Sequence, residues 1–164
     1  MSEKEKRMHR CCFTGHRPEK LRATEAEVVA LLRDAIQQAL DDGFKTFITG
    51  MARGVDIWAA EIVLAFRKTN PDIHLICALP HPDFEARWHD DWKARYRAIL
   101  QQADLVRTIC PEFKMAAYME RNKWMVDHSA RVIAFYNDEP GGTQKTLIYA
   151  RMQTVPVVIL TKQD

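Results

Sequence analysis

No stretch of this 164-residue chain approaches the ~20 consecutive apolar residues of a membrane-spanning helix, although 47% of it is hydrophobic. That content suits one packed core, since a chain of this size buries about 70% of its unfolded surface. A large charge of one sign is also missing. The 24 Lys and Arg nearly balance the 22 Asp and Glu, for a formal net charge of +2. A protein dedicated to duplex DNA carries a basic face or a strongly basic balance, and beyond the short Lys4–Arg10 segment there is no run of like charge. Nucleic acid is therefore not the expected partner. A small anion remains open, because it needs only a few well-placed cations. Cysteine is scarce: Cys11, Cys12, Cys77 and Cys110 form no C-x-x-C pair. Reduced thiols in a cytoplasmic protein are the expectation. The opening MSEKEKRMHR lacks the apolar segment of a secretory leader.

Known cofactor signatures are missing too. There is no G-x-G-x-x-G fingerprint and no Walker A loop. His9, Cys11, Cys12 and His16 are residue types that bind metals, but adjacent residues of a strand point to opposite faces. No metal and no cofactor are expected.

Short apolar runs alternate with helical patterns. The runs are Arg10–Thr14, Thr46–Thr49, Ile73–Leu79, Leu105–Ile109, Val132–Tyr136 and Val155–Leu160. Their length and their Ile, Val and Phe content read as strands buried on both faces. The first helix opens with the capping box Thr24-Glu-Ala-Glu27 and ends at Gly43. Others are expected over Val55–Lys68, Phe84–Gln102, Met115–Ser129 and Thr143–Gln153. On the third, Trp88, Trp92 and Tyr96 form a stripe that reads as core. The alternation predicts an α/β fold: three layers around a mostly parallel sheet of about six strands. Residues 1–8 read as a charged tail and 9–164 as a single domain.

In such sheets, ligands bind beyond the carboxyl ends of the strands. The loops expected there are rich in Gly, Arg and His; those at the other end look like plain turns. Three segments stand out. In Gly50-Met-Ala-Arg-Gly54, two glycines flank a strand-to-helix turn, Arg53 offers a clamp, and Asp56 follows in the first helical turn. Backbone N–H groups could cradle a phosphate there, or the glycines could serve turn geometry alone. Gly141, Gly142 and Thr143 open the last helix, either as a phosphate loop or as a turn with a threonine N-cap. Glu120, Arg121 and Asn122 lie early in a helix and either reach back to the strand ends or form a solvated face.

With Thr14-Gly15-His16-Arg17-Pro18, Gly50–Glu61 and Tyr118–Ser129 on the page, the chain resembles the YpsA-like proteins of the SLOG superfamily. That superfamily unites the Smf/DprA DNA-processing proteins with the LOG phosphoribohydrolases. The resemblance spans about residues 9–161 and implies a Rossmann-like fold that binds a nucleotide or nucleotide-derived ligand. Gly50, Arg53, Gly54 and Asp56 look like the DprA glycine-rich turn. Arg121 falls where the catalytic arginine of LOG enzymes lies. Pro140–Thr143 is similar to a shortened LOG phosphate loop, and the catalytic glutamate position then holds Thr146 or Ile148, neither a carboxylate.

The leading expectation is a nucleotide-binding sensor or regulatory module. Thr14, Gly15, His16 and Arg17 would form one wall. Gly50, Arg53 and Gly54 would hold phosphate and Asp56 a ribose hydroxyl. Arg121, Asn122, Gly141, Gly142 and Thr143 would close the other side. The alternatives are a LOG-type phosphoribohydrolase, with Arg121 and Glu120 as catalytic candidates, and DprA-like single-stranded DNA binding. The resemblance also implies a homodimer, and a signalling output would need an effector protein.

Overall fold

Ser2 and Glu5 close a reciprocal capping box, each side chain accepting from the other's backbone N–H. The expected tail therefore contains a short helix, α1 (Glu3–Arg7), that buries no residue. Arg10 pairs with Glu3 at 2.6 Å, and Arg7 donates to the Ser129 carbonyl at 3.1 Å, tying α1 to the body. This is the computed structural model of the chain; it describes residues 1–162. The last two residues of the expected 9–164 domain lie outside the described residues.

The remaining elements alternate. They are β1 (Arg10–Gly15), α2 (Glu25–Asp41), β2 (Thr46–Thr49), α3 (Val55–Thr69), β3 (His74–Leu79), α4 (Asp90–Gln102), β4 (Leu105–Thr108), α5 (Ala117–Asp127), β5 (Arg131–Phe135), α6 (Gly142–Met152) and β6 (Val157–Leu160). The strands form one sheet in the order β4-β3-β2-β1-β5-β6, and every neighbouring pair is parallel. The chain builds outward from β1 to β4, then returns to the other side of β1 for β5. The gap between β1 and β5 is thus the switch point, where the loops after both strands diverge.

Thr24 and Glu27 form the expected capping box of α2, with both bonds at 3.2 Å. Val28, Leu32, Ile36 and Ala39 are its buried stripe. Cys11 and Phe13 pack with α2 and α3 in one core, whereas Cys12 packs with Met125, Val126 and Leu147 of α5 and α6 in the other. The adjacent cysteines do face opposite layers. α3 is the most enclosed helix, and Gly15 lets β1 approach its start: a Cβ there would lie 2.5 Å from a Val55 methyl. No helix among the described residues is long and apolar enough to cross a membrane.

Three expectations differ from the structure. All four residues of β4 are exposed, and in β6 Val158 and Ile159 are exposed too. These strands close the sheet at its two edges, so their apolar character does not mean burial on both faces. The third long helix begins at Asp90 instead of Phe84: His89 is its N-cap, accepting from Asp91 N at 3.4 Å, and Asp90 and Asp91 suit the positive helix start. Asp83, at φ 58°, turns the preceding segment away from helix. Trp88 therefore precedes α4; it and Trp92 are half-buried, and Tyr96 alone of the stripe is fully buried. α5 is likewise shorter than the expected Met115–Ser129.

Candidate ligand-binding site

A cleft of about 980 Å³ lies at the carboxyl edge of the sheet. Eleven of the thirteen expected binding residues line it: Thr14, Gly15, His16, Arg17, Arg53, Asp56, Arg121, Asn122, Gly141, Gly142 and Thr143. Gly50 and Gly54 lie behind the wall. Three of the five non-glycine residues with positive φ among the described residues, Met51, Asp83 and Asp138, fall in the loops at this edge. Backbone strain gathers where structure must over-determine it, often at binding sites.

The switch-point walls are fastened to each other. His16 is buried and stacks on Tyr136, with ring centroids 5.5 Å apart. Its Nε2 accepts from Asn137 N at 3.4 Å. Burial, then Lys20 nearby, lowers its pKa, so the ring is neutral and Nδ1 carries the proton. Asn137 donates from Nδ2 to the Lys20 carbonyl at 2.6 Å, and Arg22 pairs with Glu139. These bonds hold Thr14–Arg17 against the loop leading to α6. The N-cap of that helix is Gly141, φ 142°, and no side chain caps it. Its first N–H groups therefore keep their donor capacity, and a Cβ on Gly142 would meet nothing within 4 Å.

The Gly50–Gly54 turn works differently. Thr49 donates from Oγ1 to the Asp56 carbonyl at 2.9 Å and accepts from Met51 N at 3.3 Å. Asp56 Oδ2 accepts from Ala52 N at 3.2 Å. Two N–H groups of the turn are thus already occupied from within. Gly54, φ 91°, provides the left-handed bend into α3, and Arg53 is paired with Glu19. Gly50 is a spacer: a Cβ there would lie 2.9 Å from Asp56 Oδ2 and 3.0 Å from Arg121 Cζ. A side chain there would crowd a buried carboxylate and a buried guanidinium at once.

Arg121, on α5, donates from Nη1 to the Gly50 carbonyl and from Nε to Asn122 Oδ1 at 2.8 Å. Its Cζ stands 5.6 Å from the Phe84 ring centroid. Asp56 Oδ1 is buried with no hydrogen-bond partner among the described residues. Burial raises the Asp56 pKa to about 6, outweighing the opposing pull of Arg121 and the Ala52 N–H. Burial likewise lowers the Arg121 pKa, with Asp56 opposing. Each charge is only partly compensated by the other.

Glu120 does not line the cleft. It is exposed, accepts from Cys110 Sγ at 2.9 Å and pairs with Lys114 at 3.1 Å, bracing the loop between β4 and α5. Thr146, at one of the two alternative glutamate positions, is buried and donates to the Gly142 carbonyl at 2.7 Å. Ile148, at the other, is exposed. The cleft also contains Lys20, His81, Phe84, Trp88, Phe113 and Tyr118, which the motif reading missed. The strand order alone puts the Pro80–Phe84 and Pro111–Lys114 loops, which follow β3 and β4, at this edge.

A profile of the YspA SLOG family (YpsA) matches residues 11–156. The chain belongs to this family. The matched span runs from β1 to the approach to β6 and so takes in every loop of the cleft. A UPF0398 protein of Staphylococcus epidermidis is 32% identical over 112 residues, covering 67% of this chain and 60% of its own. One of Bacillus pumilus is 26% identical over 161 residues, covering 92% and 87%. The chain thus spans less than two thirds of the staphylococcal relative. Among solved structures, DNA processing protein A from Helicobacter pylori superimposes with a TM-score of 0.65 at 16% identity, covering 98% of this chain and 68% of that one. TM1055 superimposes at 0.58 and 12% identity, covering 92% and 72%. At such identities the likeness is one of fold.

Proposed function

We propose that this protein binds a nucleotide or nucleotide-derived anion in the cleft and acts as a sensor or regulatory module in the cytoplasm. The observation that carries this reading is the charge and position of the cleft. It opens at the switch point and is lined by Arg17, Lys20, Arg53, Arg87 and Arg121 against two carboxylates, Asp56 and Asp83. The uncapped start of α6 adds N–H donors and about half a positive charge. In this reading the phosphate sits between the loop after β1 and the start of α6. The Gly50–Gly54 turn holds Asp56, through the Ala52 N–H, and Arg121, through the Gly50 carbonyl, behind it.

Thermal melting with and without adenosine mono- and diphosphate tests the reading. Ligand at a hundred times its Kd adds about 2.7 kcal/mol, and each kcal/mol raises the Tm of a chain this size by about 2–4 °C. The expected rise is therefore about 5–11 °C, and it should be lost when Arg17 and Arg53 are both replaced by alanine. No rise with either nucleotide would sink the proposal.

A second reading, hydrolysis of a nucleotide's N-glycosidic bond, is favoured by one observation: a carboxyl group lining the cleft with its pKa raised towards neutrality. Asp56 would then be the acid/base, Arg121 would stabilise charge, and Glu120 would serve neither role. Free adenine released from the monophosphate would establish it. The Helicobacter pylori neighbour is described by its single-stranded DNA binding mode. Salt-sensitive binding of single strands, with no effect of nucleotides, would transfer that activity here.

A further inference from the structure

The cleft has two chemically different ends. Towards β1 and β5 it is cationic. Towards β3 and β4 it is mainly aromatic, built by Phe84 and Trp88 after β3, Phe113 after β4 and Tyr118 on α5, gathered around His81, with Asp83 and Arg87 on the same segment after β3. His81 is buried and meets Phe84, Phe113 and Tyr118 edge-on, with centroids 5.8, 5.0 and 5.7 Å away. Its Nδ1 lies 2.6 Å from the Pro82 carbonyl, which can only accept, so Nδ1 donates and Nε2 is left facing the Tyr118 hydroxyl. The hub is thereby fixed in orientation.

Two members of this end are left uncovered. Phe113 is 61% exposed and Met115 77% exposed, although both line the cleft. The loop that carries them is held at both ends, by Cys110 and Lys114 on Glu120. An apolar ring presented on a braced loop, inside a cleft whose other end is cationic, has a face to give to a ligand. The complementary ligand carries its anionic group at one end and a flat, weakly polar ring at the other. Arg121 stands between the two ends, near Gly50 on one side and the Phe84 ring on the other.

We infer that the β3–β4 end of the cleft is a base subsite, in which Phe113 stacks on the nucleobase while the phosphate lies at the β1–β5 switch point. This rests on the nucleotide reading above and adds the ligand's orientation and the residue that selects for a ring. Stacking on aromatic side chains is tolerant of base identity, so the subsite accepts purines and pyrimidines and discriminates against sugar phosphates that lack a base.

The test compares adenosine monophosphate with ribose 5-phosphate by titration calorimetry, because the two differ by the base alone. The expected result is that the monophosphate binds the unmodified protein more tightly. Phe113→Ala should weaken it by about 5- to 150-fold, the range of a lost base–aromatic stack, and leave ribose 5-phosphate unchanged. Phe113→Trp should restore the preference. Phe113 is exposed, so these variants test recognition without emptying the core. Equal binding of both compounds by the unmodified protein overturns the base subsite while leaving the anion site standing. So does a Phe113→Ala protein that loses both equally. Binding of neither compound removes the nucleotide reading, and this inference with it. A change of oligomeric state in Phe113→Ala, with the preference for the monophosphate intact, assigns the exposed ring to a protein interface and overturns the subsite.

Discussion

Replacing Asp56 with asparagine should make this protein more stable at neutral pH, although the residue lines the cleft. The ordinary aspartate value of 3.8 rises to about 6 at this position, chiefly through burial. At about 1.4 kcal/mol for each tenfold change in proton affinity, ionising Asp56 costs the fold about 3 kcal/mol relative to the unfolded chain. The direction follows from linkage. A group whose folded pKa is raised favours the fold fully below its unfolded value, near 3.8, and loses that contribution as pH rises through about 6. Asparagine has the shape of the protonated acid and keeps an acceptor for Ala52 N. The variant should therefore exceed the parent by about 3 kcal/mol at pH 7.5, or about 6–12 °C in Tm. At pH 4 the advantage should shrink to below about 1 kcal/mol. Carboxylates held below their usual range, such as Glu19 beside Arg53 and Asp42 beside Arg131, destabilise both proteins in acid and cancel in the difference. Urea unfolding of both proteins at the two pH values is the assay. A variant no more stable at pH 7.5, or one whose advantage is the same at both pH values, would refute the argument.

Gly50→Ala should cost about 1–3 kcal/mol in urea unfolding, the usual penalty for overpacking, because its Cβ must displace Asp56 or Arg121. Gly142→Ala, with open space around it and no positive φ, should stay within about 0.5 kcal/mol of the parent; a large loss there would mean that the start of α6 is packed and not open. His16 should titrate below 6.5 by NMR, since burial favours its neutral ring. Its contribution to stability is therefore present above pH 6.5 and lost as pH falls through the lowered value. A midpoint above 6.5 would place a negative charge against the ring and contradict the geometry described.

The architecture was legible because its signals are local. A capping box at Thr24, glycines at strand ends and short apolar runs set the order of elements, and order alone forces a parallel sheet. Burial was less legible. Leu105 and Val106 look like core residues in sequence, but β4 is an edge, and edge position depends on the whole strand order. The start of α4 was misread because Phe84 and Trp88 fit a helical period, whereas the His89 cap and the turn at Asp83 cut it short. Part of the site is hidden by that helical reading: Trp88, one of the Trp88–Trp92–Tyr96 core stripe, packs on the core from a turn and also lines the cleft beside Phe84. Arg121 stands out by its place early in a helix, and the resemblance adds a role to it. Its bond to the Gly50 carbonyl joins residues 71 positions apart, which no local pattern encodes.

The same geometry changes what the glycine-rich turn means. Read as sequence, Gly50-Met-Ala-Arg-Gly54 is the natural phosphate cradle, with two glycines, an arginine and a helix start. In three dimensions its Met51 and Ala52 N–H groups are occupied by Thr49 and Asp56, and its arginine is paired with Glu19. A carboxylate in the first turn of α3 competes with any anion for that helix start. The start of α6 has no such competitor: it carries no acidic residue in its first turn and no capping side chain. Two glycine-bearing strand-to-helix turns that look alike in sequence thus divide the work. One leaves its donors open beside Arg17 and Lys20. The other spends its donors on Thr49 and Asp56, and its Gly50 leaves the room that the buried Asp56 and Arg121 side chains occupy.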